Sequence, residues 1–140
     1  MKSQIALSID QMKELEALGV NTTDASLAWV PLWKEDKKTI EKYFLEAYSF
    51  GKAHNGHIPA YTLEDLIRKM PTYIPSLSNE HEGYILRTGA ANPNQYYCSY
   101  EAIKNEFGPL MWKCGLSLMD CVFAIFKGII HYNNTIAKIL

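Results

Sequence analysis

The chain has 140 residues, with 14 Lys+Arg against 15 Asp+Glu and a formal net charge of -1. At 48% hydrophobic and 21% charged it is too apolar for a disordered segment. Its length fits a single globular domain over residues 1–140 that folds without a disulfide or metal staple. The absence of a basic surplus disfavours nucleic acid as a partner, because neutralising phosphates takes Lys and Arg.

The chain opens Met1-Lys2-Ser3-Gln4-Ile5-Ala6-Leu7-Ser8-Ile9-Asp10. Ser8 and Asp10 cut the apolar stretch too short for the core of a signal peptide. Leu7-Ser8-Ile9-Asp10-Gln11-Met12 is instead a helix entry, and its pattern recurs in Tyr61-Thr62-Leu63-Glu64-Asp65-Leu66 and Leu116-Ser117-Leu118-Met119-Asp120-Cys121. In each, a Ser or Thr hydroxyl caps a first-turn N–H, and an acceptor three residues on reaches back to the N–H of the cap. Gln11 is a standard partner for this box, with Asp65 and Asp120 as shorter substitutes. The flanking pairs Leu7 with Met12, Tyr61 with Leu66 and Leu116 with Cys121 are spaced as hydrophobic staples. The first helix should end at Leu18, with Gly19 left-handed and Val20 placed to touch Leu15.

Leu27 to Trp33 reads as a short aromatic strand, and Pro31 within it, lacking an N–H, suggests a sheet edge. Lys34 to Lys38 mixes both charges and reads as a solvated turn. Lys38 to Phe50 is ambiguous: Ile40, Tyr43, Phe44, Ala47 and Tyr48 recur at helical intervals, yet the segment could return from Trp33 as the second strand of a hairpin. Loops are expected over Gly51 to His57 and Pro75 to Glu82. The second helix carries Leu63, Leu66, Ile67 and Met70 on one face and must stop before Pro71. Gly83 to Arg87 and Gln95 to Tyr100 are β-prone, joined by a turn-forming connection from Thr88 to Asn94. Pro109 to Cys114 supplies a further strand. The third helix, at about 118–131, is the centre of the fold. Leu118, Cys121, Val122, Phe123, Ile125, Phe126, Ile129 and Ile130 are apolar, and Asp120, Ala124, Lys127 and His131 form a narrow polar stripe. Gly128 weakens this helix unless another backbone approaches there. The apolar window Leu116 to Tyr132 is interrupted by Asp120, Lys127 and His131, which suits a buried helix better than a bilayer span.

Several clusters invite a chemical reading. His54 and His57, joined by Asn55-Gly56, with His81 between Glu80 and Glu82, contain metal-ligating groups. They flank turns, however, and lack the rigid set of three or four ligands that zinc needs. A solvated loop is the simpler account. Cys98, Cys114 and Cys121 are odd in number and widely spaced, no disulfide framework, which fits a reducing cytoplasm. A buried thiol at Cys121 behaves as a small hydrophobe, and His131 is too far along the helix to serve it as a base. No phosphate loop, dinucleotide fingerprint or nucleophile elbow occurs. Tyr96, Tyr97 and Tyr100 lie close together, and alternation puts Trp29 and Trp33 on one strand face, and Tyr96, Cys98 and Tyr100 together on another. Such aromatics serve as core, or, if exposed, as a binding surface.

The residues Leu7-Ser8-Ile9-Asp10-Gln11-Met12-Lys13-Glu14-Leu15, Leu18-Gly19-Val20, Ala25-Ser26 and Trp29 resemble the opening of a family of uncharacterised small proteins from gut-bacterial prophages and related mobile elements. Ile58-Pro59-Ala60-Tyr61-Thr62-Leu63-Glu64-Asp65-Leu66-Ile67, closing at Met70-Pro71, is similar to that family's central motif, and a late apolar helix follows a short strand in both. The resemblance covers about half the chain in three segments. It implies helices on one face of an antiparallel sheet, which turns Lys38 to Phe50 toward a strand against its periodicity. It carries no activity, cofactor or catalytic residue. The chain departs from the family over Tyr43 to His57 and Asn133 to Leu140.

The expected architecture is α+β: an antiparallel sheet of about four to five strands with three helices packed on it, the C-terminal one central. No residue is assigned a catalytic, cofactor-binding or metal-ligating role. The expected function is that of a non-enzymatic accessory protein that contacts another protein, with no membrane partner. The alternative is a small-molecule-binding protein or enzyme whose scattered site lies near the His54–His57 loop and Tyr61.

Overall fold

The computed structural model describes residues 4–48, 56–77, 82–104 and 107–139, with side chains described as far as Thr135. All three helices begin where the capping pattern places them. Ser8 caps α1 (Ile9–Ala17), its hydroxyl accepting from the Gln11 N–H while the Gln11 side chain accepts from the Ser8 N–H. Thr62 precedes α2 (Leu63–Lys69), and there the short Asp65 completes the box. The Asp65 N–H donates to Thr62 Oγ1 at 3.1 Å and Asp65 Oδ2 accepts from the Thr62 N–H at 3.0 Å. Ser117 Oγ accepts from the Asp120 N–H at 3.3 Å at the start of α3 (Leu118–Ile139). The end of α1 is equally local. Gly19 takes φ +89, and the N–H groups of Gly19 and Val20 reach back to the Glu16 and Leu15 carbonyls. Those paired bonds define a Schellman closure.

The protein is α+β, with its antiparallel strands divided between two sheets. Chain contacts define two compact units, Gln4–Asp65 and the described residues from Leu66 onward. In the first, β1 (Leu27–Trp33), β2 (Ile40–Ala47) and β3 (Ile58–Ala60) form a sheet in the order β2-β1-β3. Lys38 to Phe50 therefore contributes a strand, the return of a hairpin through Glu35-Asp36-Lys37. Pro31 lies on a strand that is central only as far as Trp29, where β3 ends. Among the described residues Pro31 is paired within the sheet on the β2 side alone, so the missing N–H falls at a local edge. Helix α1 packs against β3 around Leu7, Met12, Leu15, Ala60 and Tyr61, all fully buried.

The second unit is a meander, with β4 (Tyr73–Ile74), β5 (Tyr84–Asn92), β6 (Gln95–Ala102) and β7 (Met111–Gly115) in sequence order and α3 across one face. The connection expected over Thr88 to Asn94 is shorter than its composition suggested. The ladder continues through Gly89↔Tyr97 and Ala90↔Tyr96 to Asn92↔Gln95, leaving only Pro93 and Asn94 to turn. Asn92 Oδ1 accepts from the Asn94 N–H at 3.1 Å, an Asx turn that closes the hairpin. Gly83, before β5, has φ +124, and a Cβ there would lie 2.6 Å from the Ile74 carbonyl oxygen, so no other residue fits.

Helix α3 buries Cys121, Val122, Phe123, Ile125, Phe126 and Ile129, leaving Asp120 and His131 exposed. It runs beyond the expected end near residue 131, to Ile139. One local expectation is corrected. Leu116 is 68% exposed, so it forms no staple with buried Cys121. At Gly128 the neighbour among the described residues is a side chain, since a Cβ there would lie 3.0 Å from Met111 Sδ. Among the described residues no helix is long and apolar enough to cross a membrane.

Candidate functional site

The register of the four-stranded sheet sorts its side chains onto two faces. Paired residues of an antiparallel ladder share a face, and alternate pairs oppose. Toward α3 point Tyr84 with Ala102, Leu86 with Tyr100 and Met111, Thr88 with Cys98 and Lys113, and Ala90 with Tyr96 and Gly115. The contacts agree. Cys121 Sγ donates to the Tyr96 carbonyl at 3.5 Å, and Met111 approaches Gly128. Tyr100 is fully buried, and its hydroxyl finds the Pro71 carbonyl at 2.6 Å. The row Tyr96, Cys98 and Tyr100 is thus core rather than binding surface.

The opposite face holds three rows: Tyr73, Ile85 and Glu101; Arg87, Ser99 and Trp112; Gly89, Tyr97 and Cys114. Trp112 is 59% exposed and Tyr73 46%, the Tyr73 hydroxyl donating to the Glu82 carbonyl. Tyr97 leans over the gap left by Gly89, where a Cβ would meet its ring at 3.0 Å. Arg87 Nε lies 3.0 Å from Glu101 Oε2, a diagonal ion pair with both side chains substantially exposed. Between Arg87 and Trp112 sits Ser99, fully buried, with its hydroxyl unpaired. The face is therefore aromatic, electrically balanced and braced from behind by α3. Tyr, Trp and Arg are the residues that dominate binding energy at protein interfaces, where large rigid side chains displace water at small entropic cost.

A second apolar patch lies toward the turn end of the β1–β2 hairpin, where Leu32 and Phe44 are exposed and Trp33 borders an open depression with Lys34, Glu35 and Lys37. Beyond Trp29 the described residues supply two strands to that sheet, so the patch has a weaker frame. Trp29 itself turns inward and donates through Nε1 to the Leu7 carbonyl at 2.9 Å.

The histidine reading gathers little. His54, Glu80 and His81 lie outside the described residues, His57 is half-buried before β3, and Glu82 is exposed. Among the described residues no group of three His, Cys, Asp or Glu is placed to hold a metal ion. Tyr61 does enter a polar network. Its hydroxyl donates to Asp24 Oδ1 at 2.7 Å and approaches the Asn21 carbonyl at 3.0 Å, and burial with the nearby Asp24 raises its pKa. These bonds tie the loop after α1 to the entry of α2. Burial pushes the Cys98 thiol up to about 12 and raises that of Cys121 as well, so both stay protonated at neutral pH and are poor nucleophiles.

Trp112, Arg87 and Tyr73 were not singled out by the sequence. No local signal could have placed them, because in Met111-Trp112-Lys113-Cys114 the apolar residues fall on both alternate faces of the strand. Comparisons with protein-family models, with curated proteins and with solved structures found no match to this chain.

Proposed function

We propose that this is a non-enzymatic accessory protein that works by contacting another protein chain through the outer face of the four-stranded sheet. The reading includes a prophage or mobile-element origin, which rests on the three resembling segments, and a reducing cytoplasm, which rests on the spacing of the three cysteines. The observation that carries the interaction is the exposed Trp112 on a balanced face with Tyr73, Tyr97 and the Arg87–Glu101 pair. A large indole left in water on a braced sheet gains most when a partner covers it.

Site-specific photocrosslinking in cells of the source organism tests this. A benzoylphenylalanine at position 112 should give a discrete protein adduct, and the same group at exposed Lys13 on α1 should not. No adduct from position 112, or equal yields from both positions, would overturn the reading.

A further inference from the structure

Resting on that reading, we infer that the chain covering this face is a second copy of the same protein, in a two-fold dimer. The argument is charge complementarity on an otherwise apolar surface. Arg87 and Glu101 stand side by side, 3.0 Å apart, between the aromatic positions Tyr73 and Trp112. A two-fold axis passing near their midpoint sets each Arg87 against the Glu101 of the other copy. The two pairs become one alternating network of four charges, with no like charges in contact. An isologous interface requires this kind of self-complementarity, in which residue i meets j and j meets i. A partner surface bearing net charge of either sign would leave one member of the pair unmatched on desolvation, which is costly at an interface centre. The same axis brings Trp112 and Tyr73 of each copy onto the apolar face of the other, covering the side chains that the single chain leaves wet.

Charge reversal on the full chain, read by sedimentation velocity, tests the geometry. The wild type should be dimeric, and Arg87→Glu and Glu101→Arg should each weaken association at least tenfold while keeping their circular dichroism. Mixed in equal amounts, the two variants should associate again, because a face carrying only Glu then meets one carrying only Arg. The Arg87→Glu, Glu101→Arg double variant should also dimerise. Restoration on mixing separates contact between copies from the pairing within one chain, since neither variant regains its own ion pair. A wild type that is monomeric at every concentration overturns the inference, as does a dimer indifferent to both reversals and to Trp112→Ala. If the adduct at position 112 contains a different protein and no self-association is seen, the dimer fails while the interaction reading stands.

Discussion

Asp65 shows how much one side chain can hold. Its carboxylate accepts from the Ser26 N–H and the Thr62 N–H, each at 3.0 Å, and from the Ser26 hydroxyl. Burial acts to raise its pKa, but the combined donors bring it below the ordinary 3.8. In the unfolded chain the group takes up its proton at that ordinary value, so its stabilisation is complete above it. The contribution is then lost as pH falls through 3.8 toward the lower folded value. Asp65→Asn should cost about 2 kcal/mol at about pH 7, with the deficit shrinking at about pH 3. Urea unfolding at the two pH values measures this, and an unchanged deficit would show that the carboxylate charge is not the source. The cap itself was readable in Thr62-Leu63-Glu64-Asp65. Ser26, 39 positions away, was not, because nothing local to either residue encodes the meeting.

Helix α3 and strand β2 illustrate opposite relations between pattern and element. In α3 the apolar positions are dense enough that the buried face follows directly from spacing, and Val122, Ile125 and Phe126 are all buried. Phe126→Ala should therefore cost about 3–5 kcal/mol. Leu116→Ala, at the expected staple, should change stability by no more than about 0.5 kcal/mol, because Leu116 is already in water. Guanidinium unfolding compares the two, and similar losses would contradict the placement of Leu116. In β2 the helical spacing misleads for a structural reason. The register slips between Leu32 and Trp33, so Leu32 pairs with Lys42 but Trp33 with Ile40, leaving Glu41 as an extra residue. That bulge moves the half-buried positions Ile40 and Tyr43 three apart, a helix-like interval inside a strand. The hairpin β5–β6 errs the other way. Thr88 and Ala90 are exposed, so a strand held mainly by backbone bonds left no hydrophobic trace.

Self-association has a thermodynamic signature for the complete chain. Mass action stabilises a folded dimer as concentration rises, by at most about 1.4 kcal/mol for each tenfold increase. Calorimetry should accordingly show Tm climbing by a few degrees over that range for the wild type and holding still for Trp112→Ala; identical behaviour would remove the dimer from the account of stability. The proposed face was the least legible feature of the chain. Where each helix begins, where α1 closes and which stripe of α3 is buried are settled within a few neighbouring residues, by caps, a left-handed glycine and periodicity. Those features could be read from the letters alone. Whether Trp112 joins the core or the solvent depends on its pairing with Ser99, and Ser99 on its pairing with Arg87. A shift of one residue in either ladder would exchange the two faces. Such alignment is a property of strands brought together from distant parts of the chain, so the surface that meets a partner came into view only with the assembled sheet.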